Sequence, residues 1–296
     1  MSNANHFIVK TEKIPVQFPP QHQPFQPGVE WMMEPRPIAE SVHYQGSGKL
    51  EGKVAVISGG DSGIGKAVAI AFAKEGAHIV VVYLNEHDDA METKKRIRQL
   101  GKQCLLISGD LGFEETSFYV VNQTMERFGQ IDVVVNNCAA SYPKDSIREI
   151  TAEQLYRVFQ SNVFSYFFLT KAALPFLKKG SSIINTASEG AYDGHRGNLD
   201  YSTTKGANVT FTRSLSLDLV DQGIRVNGVA PGPIWTPLIP SSFPAEDMMT
   251  FGYGTPMKRA GQPYELAPAY VYLASEDSRY VTGQIVHVNG GMINGS

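Results

Sequence analysis

The stretch AVISGGDSGIGKAVAIAFAKEG, Ala55–Gly76, decides how the rest of the chain is read. Val54, Ala55, Val56 and Ile57 form a short apolar run that ends at glycines, and from Ile64 the apolar residues Ala67, Val68, Ala71 and Phe72 recur at helical spacing. The pattern is strand, glycine turn, helix. Gly59, Gly63 and Gly65 lack a Cβ, so the turn can take positive φ and bring its N–H groups close to a ligand. The helix behind it opens with unpaired N–H groups and the positive end of its dipole, a setting suited to a pyrophosphate. An ordinary tight turn between strand and helix has the same glycines, so the weight of the motif depends on the rest of the chain.

Beyond Gly76 the pattern alternates. Strands are expected at 54–58, 78–83, 103–108, 131–136, 182–187, 224–230 and 285–288, and helices at 64–75, 88–100, 113–128, 152–179, 201–221 and 266–275. Met91, Lys94, Ile97 and Leu100 mark one side of the second helix, and Phe118, Val121, Met125 and Phe128 one side of the third. Continuous apolar strands separated by helices imply an α/β fold, a doubly wound parallel sheet of Rossmann type with both faces covered. In such a sheet ligands sit beyond the carboxyl ends of the strands. The segment 231–263 breaks the regular spacing with prolines, glycines and serines and is expected to be a substrate lid. Residues 1–49 form a Pro-rich arm ahead of the catalytic domain at 50–296; its Phe18, Phe25, Trp31, Met32 and Met33 are too apolar for a solvated tail, so it should pack on the body or on a neighbouring subunit. Ser2-Asn3-Ala4 resembles a cloning remnant.

Composition narrows the function. The 296 residues carry a formal charge of −3, which gives no basic field for nucleic acid or anionic lipid. No apolar run reaches the roughly 18 residues a membrane span needs, and no leader pattern indicates secretion. The two cysteines, Cys104 and Cys138, form neither a disulfide framework nor a CxxC pair, so a reducing, cytoplasmic setting is expected. The seven histidines show no HExxH motif or His/Cys cluster, so no metal site is expected.

Tyr201 and Lys205 lie four apart at the start of a helix, on one face and about 6 Å apart along its axis. A phenol must drop by roughly three pH units, about 4 kcal/mol, to accept a proton near neutrality, and a neighbouring ammonium acts in that direction. On its own such a pair is an ordinary helix face. Here it follows the fifth strand, and Ser188 stands just past the carboxyl end of that strand.

These residues together resemble the short-chain dehydrogenase/reductase family over about 50–296. SGGDSGIG at 58–65 is similar to its TGxxxGxG cofactor turn, with Ser58 in place of Thr, and NNCA at 136–139 to its NNAG, with Cys138 and Ala139 differing. Asn162, Ser188 and YSTTK at 201–205 fall in the order of its Asn-Ser-Tyr-Lys tetrad, and VAPGPIWT at 229–236 resembles its PG loop. The arm, with QHQPFQPG and EWMMEPRP, is similar to a subgroup of aldehyde reductases and glucose and ribitol dehydrogenase homologues. The resemblance implies hydride transfer between NAD(P) and a small carbonyl or alcohol substrate. Tyr201 would exchange the proton, Ser188 hold the reacting oxygen, Lys205 bind the nicotinamide ribose and lower the Tyr pKa, and Asn162 hold a relay water. Cofactor contacts would come from Gly59, Asp61, Ser62, Gly63, Ile64, Gly65, Tyr83, Leu84, Asn85, Glu86, Asp110, Leu111, Asn137, Ala139, Pro231, Gly232, Ile234 and Thr236, besides Tyr201 and Lys205. After the second strand YLNEHDD offers neither the usual acid nor an Arg; Asp61 would repel a 2′-phosphate, which favours NAD with NADP possible. Tyr142, Glu189, Tyr192, His195, Trp235 and Phe251 are expected around the substrate. A homotetramer is implied by the family. A hydrolase built on Ser188 and His195 lacks the GxSxG elbow, and the other reading is an NAD(P)-binding sensor or scaffold without turnover.

Overall fold

A computed structural model describes residues 13–293; Ser2-Asn3-Ala4 and the first part of the arm lie outside them. One parallel sheet of seven strands holds the chain together in the order β3-β2-β1-β4-β5-β6-β7. The strands are β1 (Val54–Ser58), β2 (His78–Tyr83), β3 (Cys104–Ser108), β4 (Val133–Asn136), β5 (Ser182–Thr186), β6 (Arg225–Pro231) and β7 (Ile285–Val288). Strand order reverses between β1 and β4, which opens a crevice at their carboxyl ends.

Alternation along β1 assigns its side chains to two cores. Ala55 and Ile57 pack with α1 (Gly63–Lys74) and α8 (Pro263–Ala274), whereas Val54 and Val56 pack with α3 (Glu114–Phe128) and α5 (Ser165–Ala173). Burial of both faces explains why β1, β4, β5 and β6 are buried throughout. The helix expected over 152–179 is four segments: α4 (Ala152–Phe159), a π turn at Gln160–Phe164 that contains Asn162, α5, and a 3-10 turn at Leu174–Phe176. Apolar periodicity does not register a single widened turn.

Two expected helix faces differ from those observed. On α2 (His87–Gln99) the buried residues are Asp89, Ala90, Thr93 and Ile97, and Met91 is exposed. Thr93 donates to the Asp61 carbonyl at 2.7 Å, so this helix docks on the glycine turn by a polar side chain that a hydrophobicity pattern misses. On α3 the buried side is Ser117, Val120, Val121 and Thr124, which leaves Phe118 exposed.

The arm packs on the body. Phe18 and Met33 are buried in a small third core with Trp235, Met248 and Ala260. Phe18 stacks on Trp235 with centroids 3.8 Å apart, and the Trp235 Nε1–H donates to the Pro35 carbonyl at 2.8 Å. The expected lid therefore has structure: α7 (Leu238–Ser242) and a 3-10 segment, Ala245–Thr250, held against the arm.

Candidate active site

The glycine turn owes its shape to contacts that only glycine allows. Gly59 and Gly63 have φ of +61° and +51°. A Cβ on Gly65 would lie 1.8 Å from the Gly59 carbonyl oxygen, and one on Gly59 3.2 Å from Asn137 Nδ2. Ser58, in place of Thr, ties this turn to the end of β4: its Oγ accepts from the Asn137 and Cys138 N–H groups at 2.8 and 3.2 Å. The Asn137 amide donates to the carbonyls of Ser58 and Gly59, both at 3.2 Å, and its Oδ1 accepts from Thr186 Oγ1 at 3.2 Å. Strands β1, β4 and β5 are thus locked at the carboxyl edge where α1 begins.

A cleft of about 190 Å³ opens over that edge. Of the residues expected at the cofactor, Gly59, Asp61, Ser62, Gly63, Ile64, Tyr83, Leu84, Glu86, Asp110, Leu111, Asn137, Ala139 and Thr236 line it. Gly65, Asn85, Pro231, Gly232, Ile234, Tyr201 and Lys205 do not. Gly65 is a packing glycine. Gly232 is another, since a Cβ there would sit 2.7 Å from Asn289 Cα, and Ile234 is buried in the core beside α8. The positive-φ glycines, the crossed strand ends and a helix N-terminus fit the pyrophosphate of a dinucleotide.

The carboxylates of the cleft are under strong burial. Asp61 is 2% exposed and its Oδ2 has no partner within the chain. Burial, with Glu86 nearby, pushes its carboxyl well above the ordinary range. The upward shift weakens the repulsion expected between Asp61 and a 2′-phosphate. Burial also raises Glu86, although its Oε2 accepts from the N–H groups of Leu84 and Asn85 at 3.1 and 2.8 Å. Asp110 pairs with Arg157 at 2.6 Å and accepts from Gly112 N–H at 2.9 Å.

The four tetrad residues meet beside the ends of β4 and β5. Tyr201 is the third residue of α6 (Leu199–Leu219) and Lys205 is one turn on. Lys205 Nζ donates to the Thr186 carbonyl at 2.9 Å, stands 3.5 Å from Tyr166 Oη and lies 5.5 Å from the Tyr201 ring centre. Ser188 follows β5, and its Oγ accepts from Gly190 N–H at 3.2 Å. Asn162, fully buried in the π turn, accepts from Ala140 N–H at 2.7 Å and donates to the Ala140 carbonyl at 2.9 Å and to Thr204 Oγ1 at 3.1 Å. Thr204 in turn donates to the Tyr201 carbonyl at 2.6 Å. Both N–H groups of the Asn162 amide are engaged in this brace, so a relay water at Asn162 would be held by its oxygens.

The titration pattern differs from the expectation. Burial pushes the Tyr201 phenol up to about 12, against a downward pull from the Ser188 hydroxyl. Burial also holds Lys205 down to about 8. The ammonium sits against a carbonyl rather than the phenol, so in the free protein desolvation outweighs charge.

The substrate residues divide. Tyr142 lines the cleft. Glu189 beside Ser188 has a buried Oε2 without a partner and is raised to about 7 by burial. Tyr192 packs on His287 with ring centres 4.6 Å apart, and the exposed His195 lies edge-on to Phe243. Trp235 and Phe251 are not pocket walls: both belong to the core between arm and lid. The sequence reading missed Gln26, Pro27 and Gly28 of the arm, and Arg157, Ser161 and Ser165 around the π turn, all of which line the cleft. Gln26, Pro27 and Gly28 close the QHQPFQPG stretch of the arm, which carried no expectation of a place at the cofactor. Among the described residues no His/Cys/Asp/Glu group could hold a metal ion, and no helix is long and apolar enough to cross a membrane.

Known proteins share this arrangement. The family described as enoyl-(acyl carrier protein) reductase matches residues 59–293. A glucose and ribitol dehydrogenase of Daucus carota is 52% identical over 94% of this chain and 97% of its own. An NADPH-dependent aldehyde reductase 1, chloroplastic, of Arabidopsis thaliana is 53% identical over 92% of this chain and 97% of its own. The crystal structure of a short chain dehydrogenase from Burkholderia cenocepacia in complex with NADP superposes with a TM-score of 0.77 at 26% identity, covering 82% of this chain and 98% of that one. With the glycine turn, the β1/β4 crevice and the Ser-Tyr-Lys cluster at one sheet edge, these matches place the chain in the short-chain dehydrogenase/reductase family, as an NAD(P)-dependent oxidoreductase acting between CH–OH and C=O groups.

Proposed function

We propose that the chain interconverts a small aldehyde, ketone or sugar-like carbonyl with its alcohol, with Tyr201 as the acid/base. The observation that carries this reading is the convergence of Tyr201, Ser188 and Lys205 just past the end of β5, next to a cleft shaped for a dinucleotide. Bound NAD(P) supplies and accepts the hydride. The Ser188 hydroxyl holds the substrate oxygen beside Tyr201 Oη. A phenol near 12 is protonated at neutral pH, so Tyr201 is set for proton donation to a carbonyl oxygen; the reverse reaction needs the phenolate. Lys205 stabilises that phenolate and offers donors to the ribose. Asn162 fixes the spacing of the loop after β4 from α6 through Ala140 and Thr204.

Gly59, Ser62–Ile64, Tyr83, Leu84, Glu86, Asp110, Leu111, Asn137, Ala139 and Thr236 would hold the cofactor. With Asp61 raised by burial, it opposes a 2′-phosphate less than an ordinary carboxylate would, so the cleft admits NAD or NADP. Glu189, Tyr142 and Tyr192 carry the polar atoms suited to a substrate with further hydroxyl groups. The half-exposed Phe164 of the π turn and Phe167 of α5, with Phe211 4.2 Å from Phe167, support burial against a second copy within a homotetramer. The free, unpaired cysteines support a reducing, cytoplasmic setting.

Tyr201→Phe tests the assignment. Turnover of a reactive aldehyde should fall by about a hundred- to ten-thousand-fold, with the dissociation constant for NADPH or NADH changed by less than about threefold. Retained turnover would remove Tyr201 from the chemistry. Tight dinucleotide binding with no turnover of any aldehyde, ketone or sugar would favour a sensor or scaffold instead.

A further inference from the structure

The strap Gln26–Glu30 belongs to no part of the doubly wound sheet, yet Gln26, Pro27 and Gly28 line the same cleft as the glycine turn and Thr236–Leu238. Gln26 bridges the two loops that flank this cleft. Its Nε2 donates to the Ser141 carbonyl, beyond β4, and at 3.2 Å to both the Ser241 carbonyl and Ser242 Oγ of the lid; its Oε1 accepts from Ser141 N–H at 3.2 Å. Ser242 Oγ closes the triangle by donating to the Ser141 carbonyl at 3.1 Å. Gly28 presses on the lid so closely that a Cβ would be 2.4 Å from the Pro237 oxygen.

Four residues on, the strap is fastened to the cofactor turn itself. Glu30 is 2% exposed; its Oε1 accepts from Gly63 N–H, at the first turn of α1, at 3.2 Å, and its Oε2 pairs with Lys66 at 2.5 Å. Its own N–H donates to Asp89 on α2 at 2.6 Å. One short segment therefore joins the lid, the loop after β4, the glycine turn and α2, which together surround the place where a dinucleotide would lie.

We propose that this strap is a latch on the cofactor cleft: Gln26 clasps the lid to the loop after β4, Glu30 positions the glycine turn, and release of NAD(P) requires the clasp to open. The latch rests on the reading of the cleft as a cofactor site. It makes the arm a determinant of cofactor residence time and not a stabilising wrap alone, because the Gln26 bonds join both flanks of the cleft, while other arm contacts touch the lid alone, as Phe18 on Trp235 does, or lie on the helices behind it, as Glu40 does with Lys74 at 2.8 Å and Arg96 at 2.6 Å.

Release can be followed in the full-length protein by stopped-flow displacement of bound NADH or NADPH, watching nicotinamide fluorescence, with the melting temperature measured in parallel. Gln26→Ala should speed release roughly ten- to a hundredfold, the scale expected for losing two or three hydrogen bonds that form only in the closed state. Ser242→Ala, which removes the lid side of the clasp, should act in the same direction, and the double variant should be less than additive. Glu40→Gln, on the same arm but away from the cleft, should lower the melting temperature and leave release within twofold. The latch is overturned if Gln26→Ala and Ser242→Ala both release cofactor at the unaltered rate, or if Glu40→Gln accelerates release as much as they do. A native protein that binds neither dinucleotide would overturn the cofactor reading, whereas binding with unchanged release would overturn the latch alone.

Discussion

Lys205 should cost the fold stability, and removing its charge should return it. The side chain is 1% exposed, and burial holds its ammonium down from 10.5 to about 8. At about 1.36 kcal/mol for each pH unit, that displacement corresponds to roughly 3 kcal/mol against the folded state at neutral pH. Part is offset in Lys205→Met by the lost hydrogen bond to Thr186, worth about 1 kcal/mol. That carbonyl still accepts from Tyr166 Oη at 3.2 Å, so no orphaned acceptor remains. The variant should therefore be more stable than the parent by about 2 kcal/mol at pH 7, with turnover lost. The sign follows from linkage: a lysine with a depressed folded value exerts its full destabilising effect below that value, and the effect fades as pH rises from about 8 towards 10.5. Urea unfolding of both proteins at neutral and alkaline pH would measure it, and the gap between them should close at the alkaline end. A less stable Lys205→Met protein at pH 7, or a gap that widens with pH, would refute the reasoning.

The same residues set a pH profile. kcat/KM for carbonyl reduction should be level below about 8 and fall above it as Lys205 loses its proton, whereas alcohol oxidation, which needs the Tyr201 phenolate, should rise with pH; a reduction rate that climbs through that value would count against it. Asp61 should make cofactor choice depend on pH: neutral at low pH and charged once pH passes its raised value, it should weaken NADPH relative to NADH as pH rises. Asp61→Asn should flatten that dependence, and titrations of both dinucleotides across the pH range in which the protein stays folded would decide it.

The sheet was legible because each buried strand is a short apolar run closed by Gly or a polar turn, and alternation with helices makes it parallel; the order of the strands is seen only in the fold. Three of the four tetrad candidates could be placed near one another from local spacing, since Tyr201 and Lys205 share one helical turn and Ser188 stands just past β5, whereas Asn162 came from the family resemblance alone. Contacts between distant segments left no mark in the sequence. Gln26 meets Ser141, and Glu30 meets Gly63 and Lys66, through the path of an arm with no regular period. Trp235 and Phe251 misled for the same reason, since an aromatic residue in a loop gives no sign whether it faces a substrate or, as here, Phe18. The phenol of Tyr201 misled because spacing shows the nearby ammonium but not the burial that opposes it.

The most direct test of hydride transfer is to trace the label from a reduced nicotinamide carrying deuterium at its reactive carbon while the purified protein reduces an aldehyde. The expected result is deuterium on the carbinol carbon of the alcohol, at one molecule of product for each cofactor oxidised, when both positions of the cofactor's reactive carbon are deuterated, with labelled product formed at least about a hundredfold more slowly by Tyr201→Phe. Alcohol formed without the label, or cofactor oxidised without alcohol, would contradict it.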